Sequence, residues 1–189
     1  MRLRNIVHSL NYYEIFGLER KLTIDNGDLQ KRFYELSRQY HPDRFQTKSA
    51  AEQQAVLDKS SLLNDAYRVL RDPVQRAEYV LKQEGFDIGE QRSKDVPPEL
   101  LEEVFELNMA LEELRSGDDT ARTQLDAARD KFVGMRQEID DGLAALFAKY
   151  DALQDRLALS EIRAALNRRR YIGNLVNEVE KELNVDIPN

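Results

Sequence analysis

The feature that most constrains this chain is a proline that interrupts a helical pattern, in the tripeptide His41-Pro42-Asp43. Proline lacks a backbone N–H and disfavours helical backbone at the residue before it. The interrupted pattern has apolar side chains at three- and four-residue intervals, which places them on one face of an α-helix: Leu29, Phe33, Leu36 and Tyr40. The sequence therefore predicts a helix that ends near Tyr40, followed by an exposed loop that carries an imidazole and a carboxylate.

Capping residues predict the other helices around this loop. Asp25 is a typical N-cap for the helix before the loop, and Ser49 with Glu52 forms a capping box for a long helix after it. A short first helix is expected over residues 12–17 and a fourth helix over residues 73–84. We expect one face of the third helix to include a buried asparagine that bonds the backbone of the loop: Ala50, Gln53, Leu57, Asn64, Tyr67 and Leu70.

Composition excludes several classes of protein. Cysteine is absent and histidine occurs twice, so this chain offers no disulfide, no thiolate metal site and no ligation of an iron-sulfur cluster. No cofactor is predicted. No apolar run approaches the roughly 18 residues of a membrane helix, and residues 1–8 lack the apolar core of a secretory signal. We therefore expect a cytoplasmic protein with no membrane partner.

The net charge of −7 is distributed unevenly along the chain. Residues 1–88 carry 14 basic and 13 acidic side chains, whereas the remaining 101 residues carry 14 basic and 22 acidic ones. An acidic second half argues against nucleic acid as a partner. The basic run Arg168-Arg169-Arg170 could indicate a nucleic-acid patch, but acidic side chains share its helix. That pattern favours a solvated face, or ion pairs with the acidic helix at residues 99–115.

The second half of the chain is predicted to be a three-helix bundle. Its first helix has leucine and valine at alternating four- and three-residue intervals, the spacing of a packed helix seam: Leu100, Val104, Leu107, Leu111 and Leu114. Two further helices of roughly 30 residues approximate the same spacing. The seam of the second is expected to contain Leu125, Ala128, Phe132, Met135, Ile139, Gly142 and Leu146, and that of the third Ile162, Leu166, Ile172, Val176, Val179 and Leu183.

A polar segment separates the two halves. Residues 87–96 have no apolar periodicity, and Pro97-Pro98 restarts a helix. We therefore predict a first domain at residues 1–86, a linker at 87–96 and the bundle at 97–189.

The first helix of the bundle also has a second apolar stripe that faces away from the seam. Leu101, Phe105 and Met109 follow one another at four-residue intervals, and acidic side chains border them. An apolar strip with an acidic border predicts a docking surface. The pattern alone leaves open, with equal weight, that this stripe packs on the first domain or on the third helix of the bundle.

The residues around the loop resemble a J-domain, the module that docks on DnaK-type chaperones and stimulates their ATP hydrolysis. The resemblance lies in the loop with Arg44 and Phe45 after it, and in the run from Asn64 to Pro73 on the next helix. It continues through residues 76–81 and 85–87 into the acidic half. As a whole, the chain resembles the HscB family, the co-chaperones of iron-sulfur cluster assembly. The resemblance implies an all-α fold, with an N-terminal J-domain followed by a C-terminal three-helix bundle.

The resemblance implies a chaperone-binding surface on the second helix and the loop, and HscA, a specialised DnaK-type chaperone, as the partner. Asp43 is expected to pair with a basic residue of the chaperone, while His41 and Pro42 fix the shape of the loop. Basic side chains on the solvent face of the helix are expected to meet an acidic surface of the chaperone in a salt-sensitive contact: Lys31, Arg32 and Arg38.

The loop residues by themselves leave other interpretations open. In an ordinary turn, His41 would bond the last carbonyls of the helix and Asp43 would cap the segment after the loop. In an enzyme or metal protein, His41 and Asp43 would give turnover or bound metal without a partner. A two-residue spacing across a rigid proline does not direct both side chains at one atom, so we expect no enzyme activity. If the protein is purely structural, the substitution His41→Gln would change no measurable property.

The resemblance also gives the outward stripe a partner, IscU, the scaffold protein on which iron-sulfur clusters are built. Two of the implied positions depart from the family pattern: Glu102 is often apolar in relatives, and Met109 is often acidic. The alternative function is an adaptor that delivers a different client to a DnaK-type chaperone. The implied contact residues are Leu101, Glu102, Phe105, Glu106, Met109 and Glu113, with Tyr171 of the last helix as an aromatic neighbour.

Overall fold

The computed structural model describes residues 11–87 and 98–184, and these residues form helices and turns without a strand. The first four helices are α1 (Tyr12–Ile15), α2 (Asn26–Gln39), α3 (Ala50–Arg71) and α4 (Pro73–Gln83), with a 3₁₀ turn at Pro42–Phe45 between α2 and α3. After a second 3₁₀ turn at Pro98–Leu100 come α5 (Leu101–Arg115), α6 (Ala121–Leu153) and α7 (Arg156–Asn184). The predicted all-α fold is confirmed.

The chain divides into two compact units between Gln83 and Glu84. The first unit contains α1 to α4 and the second contains α5 to α7. Most of the predicted linker, residues 88–96, lies outside the described residues, as do the N-terminal residues 1–10. The predicted bounds of the domains therefore stay a prediction.

Local capping chemistry places the helix ends in the first unit. The Asp25 side chain accepts hydrogen bonds from the N–H groups of Gly27 and Asp28 at the start of α2. Ser49 and Glu52 form the predicted capping box at the start of α3. Gly17, just after α1, has a φ of 59°. Glycine adopts this left-handed conformation without steric cost, so the chain can turn there toward α2.

The core of the first unit lies between α3 and the other three helices. Its buried apolar residues are Tyr13, Phe16, Leu22, Leu29, Val56, Leu63, Ala66, Leu70, Ala77, Val80 and Leu81. The predicted face of α3 is correct at Leu70, which is buried, but wrong at Leu57 and Asn64. These two residues are exposed, while Val56 and Leu63, each one residue earlier, are buried. Each step along a helix turns by about 100°, so an error of one residue selects a different face.

The second unit is the predicted three-helix bundle. The two long helices α6 and α7 have 33 and 29 residues, and α5 packs against them through one continuous apolar cluster. That cluster includes Leu107, Leu111 and Leu114 of α5, Leu125 and Phe132 of α6, and Ile172, Val176 and Val179 of α7.

The predicted seam of α6 is correct as far as Ile139 and wrong at Gly142. Gly142 is exposed, and Leu143 is buried in its place. A straight helix turns slightly less per seven residues than a strict heptad repeat needs. At about 100° per residue, Leu143 points in the direction of Leu125, whereas Gly142 lies about 100° away from it.

Ion pairs join the helices of the bundle on its surface. Arg169 of α7 donates from Nε and Nη2 to the Asp140 carboxylate of α6, at 2.5 and 3.1 Å. Arg115 of α5 pairs with Glu182 of α7. The basic run at 168–170 thus has an ion-pair partner within the chain, but for Arg169 that partner lies on α6 and not on the acidic α5. The helices of the described residues contain no apolar stretch that could span a membrane.

Candidate functional site

The His41-Pro42-Asp43 loop forms a single tight turn with two exposed functional side chains. His41 has extended backbone, with φ of −70° and ψ of 128°, and Pro42 opens the 3₁₀ turn. His41 Nδ1 accepts a hydrogen bond from the Asp43 N–H at 3.3 Å, and the Arg44 N–H donates to the His41 carbonyl oxygen at 3.1 Å. The imidazole therefore stabilises the turn through its Nδ1 hydrogen bond, while the Asp43 side chain is 73% exposed.

The ordinary-turn interpretation does not match this geometry. A carbonyl at the end of α2, that of Arg38, accepts its hydrogen bond from the Arg44 guanidinium at 3.1 Å and not from His41. It is His41, and not Asp43, that caps the segment after the loop. The Asp43 carboxylate accepts only a long hydrogen bond from the Gln46 amide at 3.5 Å and lies 3.5 Å from His41 Nδ1. Its charge is thus presented to solvent.

The support of the loop comes from Gln53, on the first turn of α3. Its side-chain amide donates to the carbonyl oxygens of Gln46 and Lys48, both at 3.0 Å. Asn64 was expected to have this role, but it is exposed and lies three turns further along α3. A glutamine one turn inside a helix reaches backward because side chains in a helix point toward its N-terminus.

Because the resemblance implies that this loop docks on a chaperone, we expect Gln53→Ala to reduce stimulation of the chaperone's ATPase about two- to fivefold while costing about 1 kcal/mol or less of stability. The substitution removes two hydrogen bonds at an exposed site, each with a modest net contribution, but it lets the loop sample other conformations. The measurement is the concentration of protein that gives half-maximal ATPase stimulation. Gln54→Ala is the matched control, because the Gln54 amide bonds Asp58 on the same helix and does not touch the loop. Equal effects of the two substitutions would show that the hydrogen bonds from Gln53 to the loop do not matter for stimulation.

The predicted basic face of α2 is only partly formed by the expected residues. Lys31 and Arg38 are exposed and lie on one side of the helix. Arg32 is half-buried: its Nε donates to Asp28 at 2.8 Å, and its Nη1 donates to the carbonyl oxygens of Phe16 and Gly17 at 2.9 and 3.2 Å. The prediction that Arg32 lies on the solvent face is therefore corrected. Its guanidinium connects α2 to the end of α1.

Two shallow depressions lie side by side along this face, and both include Tyr34 and Arg38. The one nearer the loop is lined by Tyr34, Ser37, Arg38, His41 and Arg44. The one nearer the start of α2 is lined by Gly27, Gln30, Lys31, Tyr34, Glu35 and Arg38. Sequence reasoning missed Tyr34 and Arg44. Tyr34 could have been found from its spacing, because it comes three residues after Lys31 and four before Arg38.

The outward stripe of α5 is exposed as predicted. Phe105 is 65% exposed, and Leu101 and Met109 are exposed as well. Phe105 and Met109 lie about 160° around the helix from the buried Leu107. Glu102 and Glu106 are exposed, and Glu113 is half-buried. The stripe and its acidic border therefore face away from the core of the bundle.

The structure brings three of the predicted scaffold-binding residues together. Glu106, Met109 and Glu113 line one groove between α5 and α6. On the wall of this groove Lys131 pairs with Glu103 at 3.2 Å. The pKa of the Glu103 carboxyl is lowered by a hydrogen bond from its own backbone and then by one from Lys131. No pattern in the sequence indicated Lys131.

Tyr171 lies on α7, partly buried against the apolar cluster of the bundle. Burial raises the pKa of its phenol, and the nearby Glu178 adds to the effect. Tyr171 is not among the described residues that line the groove between α5 and α6. Its predicted place beside the outward stripe therefore stays a prediction.

An exposed His-Pro-Asp turn between two packed helices, followed by a separate helical bundle, defines a J-domain co-chaperone. Family models agree with this assignment: residues 11–79 match the DnaJ domain, and residues 96–180 match the HSCB C-terminal oligomerisation domain. The chain belongs to the HscB co-chaperone family, and its role is that of a co-chaperone in iron-sulfur cluster assembly.

Individual relatives support the family over nearly the whole chain. The co-chaperone protein HscB homolog of Vibrio vulnificus is 34% identical over 179 residues, which cover 90% of this chain and 95% of the relative. That of Aliivibrio fischeri is 33% identical over 173 residues, covering 91% and 96%. Two solved structures are also similar. Chaperone HscB from Vibrio cholerae has a TM-score of 0.60 and 31% identity, and the match covers 91% of this chain and 96% of that one. Human co-chaperone protein HscB has a TM-score of 0.67 and 26% identity, and the match covers 92% of this chain and 82% of that one.

Proposed function

We propose that this protein connects two particular partners, the DnaK-type chaperone HscA and the scaffold protein IscU. Its first unit would stimulate the ATPase of HscA, and its second unit would deliver IscU as the client. The observation that carries the proposal is that one chain presents both an exposed Asp43 on a fixed turn and an exposed Phe105 on an acidic-bordered stripe. Neither residue is needed for the packing of its own unit.

The chaperone arm of the proposal depends on charge. Lys31 and Arg38 are exposed basic groups beside the loop, and they suit an acidic surface on HscA. Asp43 carries the opposite charge and suits a basic residue there. Contacts between exposed charges are screened by salt, so binding weakens as ionic strength rises.

We also propose that the loop acts by binding and not by catalysis. His41 Nδ1 accepts the Asp43 N–H inside the turn, and both side chains are mostly exposed to solvent. The hydrolytic chemistry then belongs to the chaperone, and this protein shifts the population of its conformations toward the one that hydrolyses ATP.

The client arm depends on the apolar stripe. Phe105, Leu101 and Met109 offer apolar area that a partner can bury, and the surrounding glutamates offer charge complementarity to basic groups. Holding IscU on the same chain that engages HscA raises the concentration of client near the chaperone, so that hydrolysis and client capture coincide. A cytoplasmic location is part of this proposal.

The test is calorimetric titration with the IscU-type scaffold of the host, comparing wild type with Phe105→Ala. We expect micromolar binding that weakens by about tenfold, or roughly 1.4 kcal/mol, because an exposed aromatic is a frequent centre of binding energy. Leu153→Ala is the matched control, since Leu153 is 59% exposed in the same unit but lies at the end of α6.

No binding by the wild-type protein would contradict the IscU assignment. The protein would then be an adaptor that delivers another client to its chaperone. Binding that Leu153→Ala and Phe105→Ala weaken equally would keep the client but move its site away from the stripe.

A further inference from the structure

Tyr34 is an exposed aromatic residue in the middle of the basic face of α2. It is 53% exposed. Among the described residues of the first unit, Tyr34 and Leu57 are the two exposed large apolar side chains. Leu57 belongs to α3, whereas Tyr34 lies among the residues already assigned to chaperone binding. An exposed apolar group that is bordered by charges is a feature of interaction surfaces.

The surroundings of Tyr34 are basic on both sides. Lys31 borders the depression toward the start of α2, and His41 and Arg44 border the depression toward the loop. Arg38 lines both depressions. Glu35 contributes one acidic group at the edge. Tyr34 is therefore the apolar centre of a surface whose border carries mainly positive charge.

The aromatic ring of Tyr34 packs beside another aromatic ring, that of Phe33. Its centroid lies 5.8 Å from that of Phe33, and the Phe33 ring stacks on Tyr67 of α3 at 4.1 Å. The phenolic oxygen accepts only a long hydrogen bond from the Gln30 amide, at 3.5 Å. A ring that is already oriented loses little conformational freedom on binding, so more of its contact free energy goes into affinity.

We propose that Tyr34 is the apolar anchor of the chaperone-binding face. Its ring packs on an apolar patch of the DnaK-type chaperone, while Lys31 and Arg38 engage acidic groups around that patch. The inference rests on the proposed function. Tyrosine and arginine are enriched among the residues that dominate interfaces, typically where an apolar centre is enclosed by a polar rim. In this arrangement the charges set the association rate and the salt dependence, and the ring sets the lifetime of the complex.

The experiment measures association and dissociation rates for the full-length protein and the host DnaK-type chaperone over a range of salt concentrations. Tyr34→Ala is expected to raise the dissociation constant about tenfold, mainly through faster dissociation, with the salt dependence of wild type. Tyr34→Phe keeps the ring and is expected to bind within about twofold of wild type. Tyr34→Gln is a second variant that removes the ring and still favours a helix.

Two control variants distinguish the loss of the Tyr34 ring contact from general effects of substitution. Leu57→Ala removes a side chain of similar exposure, 49%, from the same unit, and is expected to leave binding unchanged. Arg38→Gln is expected to weaken binding and also to reduce its salt dependence, whereas Tyr34→Ala and Tyr34→Gln weaken binding with the salt dependence of wild type.

The outcomes distinguish this inference from the proposed function. If Tyr34→Ala and Tyr34→Gln bind like wild type while Arg38→Gln and Asp43→Asn lose binding, the anchor is refuted and the chaperone-binding face stands. If none of the four changes binding, the chaperone-binding face itself is refuted. A Tyr34→Phe variant as weak as Tyr34→Ala would place the effect in the hydroxyl and overturn the apolar role.

Discussion

Asp43→Asn is expected to abolish useful stimulation of the DnaK-type chaperone without unfolding the protein. The substitution keeps the size and shape of the side chain and removes its charge. Losing one member of a hydrogen-bonded charge pair at an interface costs about 2–5 kcal/mol, which corresponds to at least thirtyfold in the concentration needed for half-maximal stimulation. The measurement is steady-state ATP hydrolysis by the chaperone as this protein is titrated in.

The structure predicts that Asp43→Asn loses stimulation without losing stability. Asp43 is 73% exposed, and its backbone N–H keeps its hydrogen bond to His41 Nδ1 in the variant. Surface substitutions of this kind change the free energy of unfolding by about 0.5 kcal/mol or less. Asp58→Asn is the matched control, an exposed aspartate on α3 that accepts a hydrogen bond from Gln54. A variant Asp43→Asn that stimulates like Asp58→Asn would show that the carboxylate has no role in the contact.

The helix ends could be predicted from sequence because their causes are local. Asp25, Ser49 with Glu52, and Pro42 each act within three residues of the end that they determine. The loop that carries His41 and Asp43 follows from the same short-range chemistry. For that reason the part of the site that depends on the loop was the part that could be predicted best.

The buried faces of helices and the contacts of long side chains could not be predicted as well, because both depend on packing between helices. Periodicity on α3 is compatible with a buried stripe through Leu57 or through Val56, and packing against the other helices selects Val56. The position of Arg32 in α2 predicts that its side chain lies on the solvent face. Its guanidinium instead reaches the carbonyl oxygens of Phe16 and Gly17, a contact that spacing along one helix does not contain.

The stripe on α5 illustrates both cases. Its outward direction follows from the four- and three-residue intervals of the seam, and the exposure of Phe105 confirms that direction. The groove beside it depends on Lys131 and other residues of α6, which periodicity on α5 cannot locate. The proposed partners of the two surfaces, HscA and IscU, come from the resemblance and not from any of these geometric arguments.

Arg76 shows that the residues that carry a family resemblance can be structural. It lies in the run at residues 76–81 that resembles the J-domain, and it is 4% exposed. Its Nε donates to the carbonyl oxygen of Leu22 at 2.8 Å, and its Nη1 donates to that of Leu70 at the end of α3. The guanidinium thus satisfies backbone carbonyls of the loop before α2 and of the last turn of α3.

We expect Arg76→Met to lower the free energy of unfolding of the first unit by about 3 kcal/mol. Methionine can fill much of the same space, but it leaves both buried carbonyl oxygens without these donors, at about 1–3 kcal/mol each. Hydrogen exchange of the α4 amides reports on this unit alone, and their slowest rates should rise by about 100-fold. Arg68→Met is the control, because Arg68 is mostly exposed and its pair with Asp65 is at the surface.

The two substitutions, Arg76→Met and Asp43→Asn, together separate folding from binding. A domain with about 5–15 kcal/mol of stability stays folded at 25 °C after losing about 3 kcal/mol. Arg76→Met should therefore still stimulate the chaperone at that temperature and lose activity only on warming. Asp43→Asn should fail at every temperature. If Arg76→Met lost stimulation at 25 °C while its α4 amides stayed protected, Arg76 would have a role in the contact that its burial does not explain.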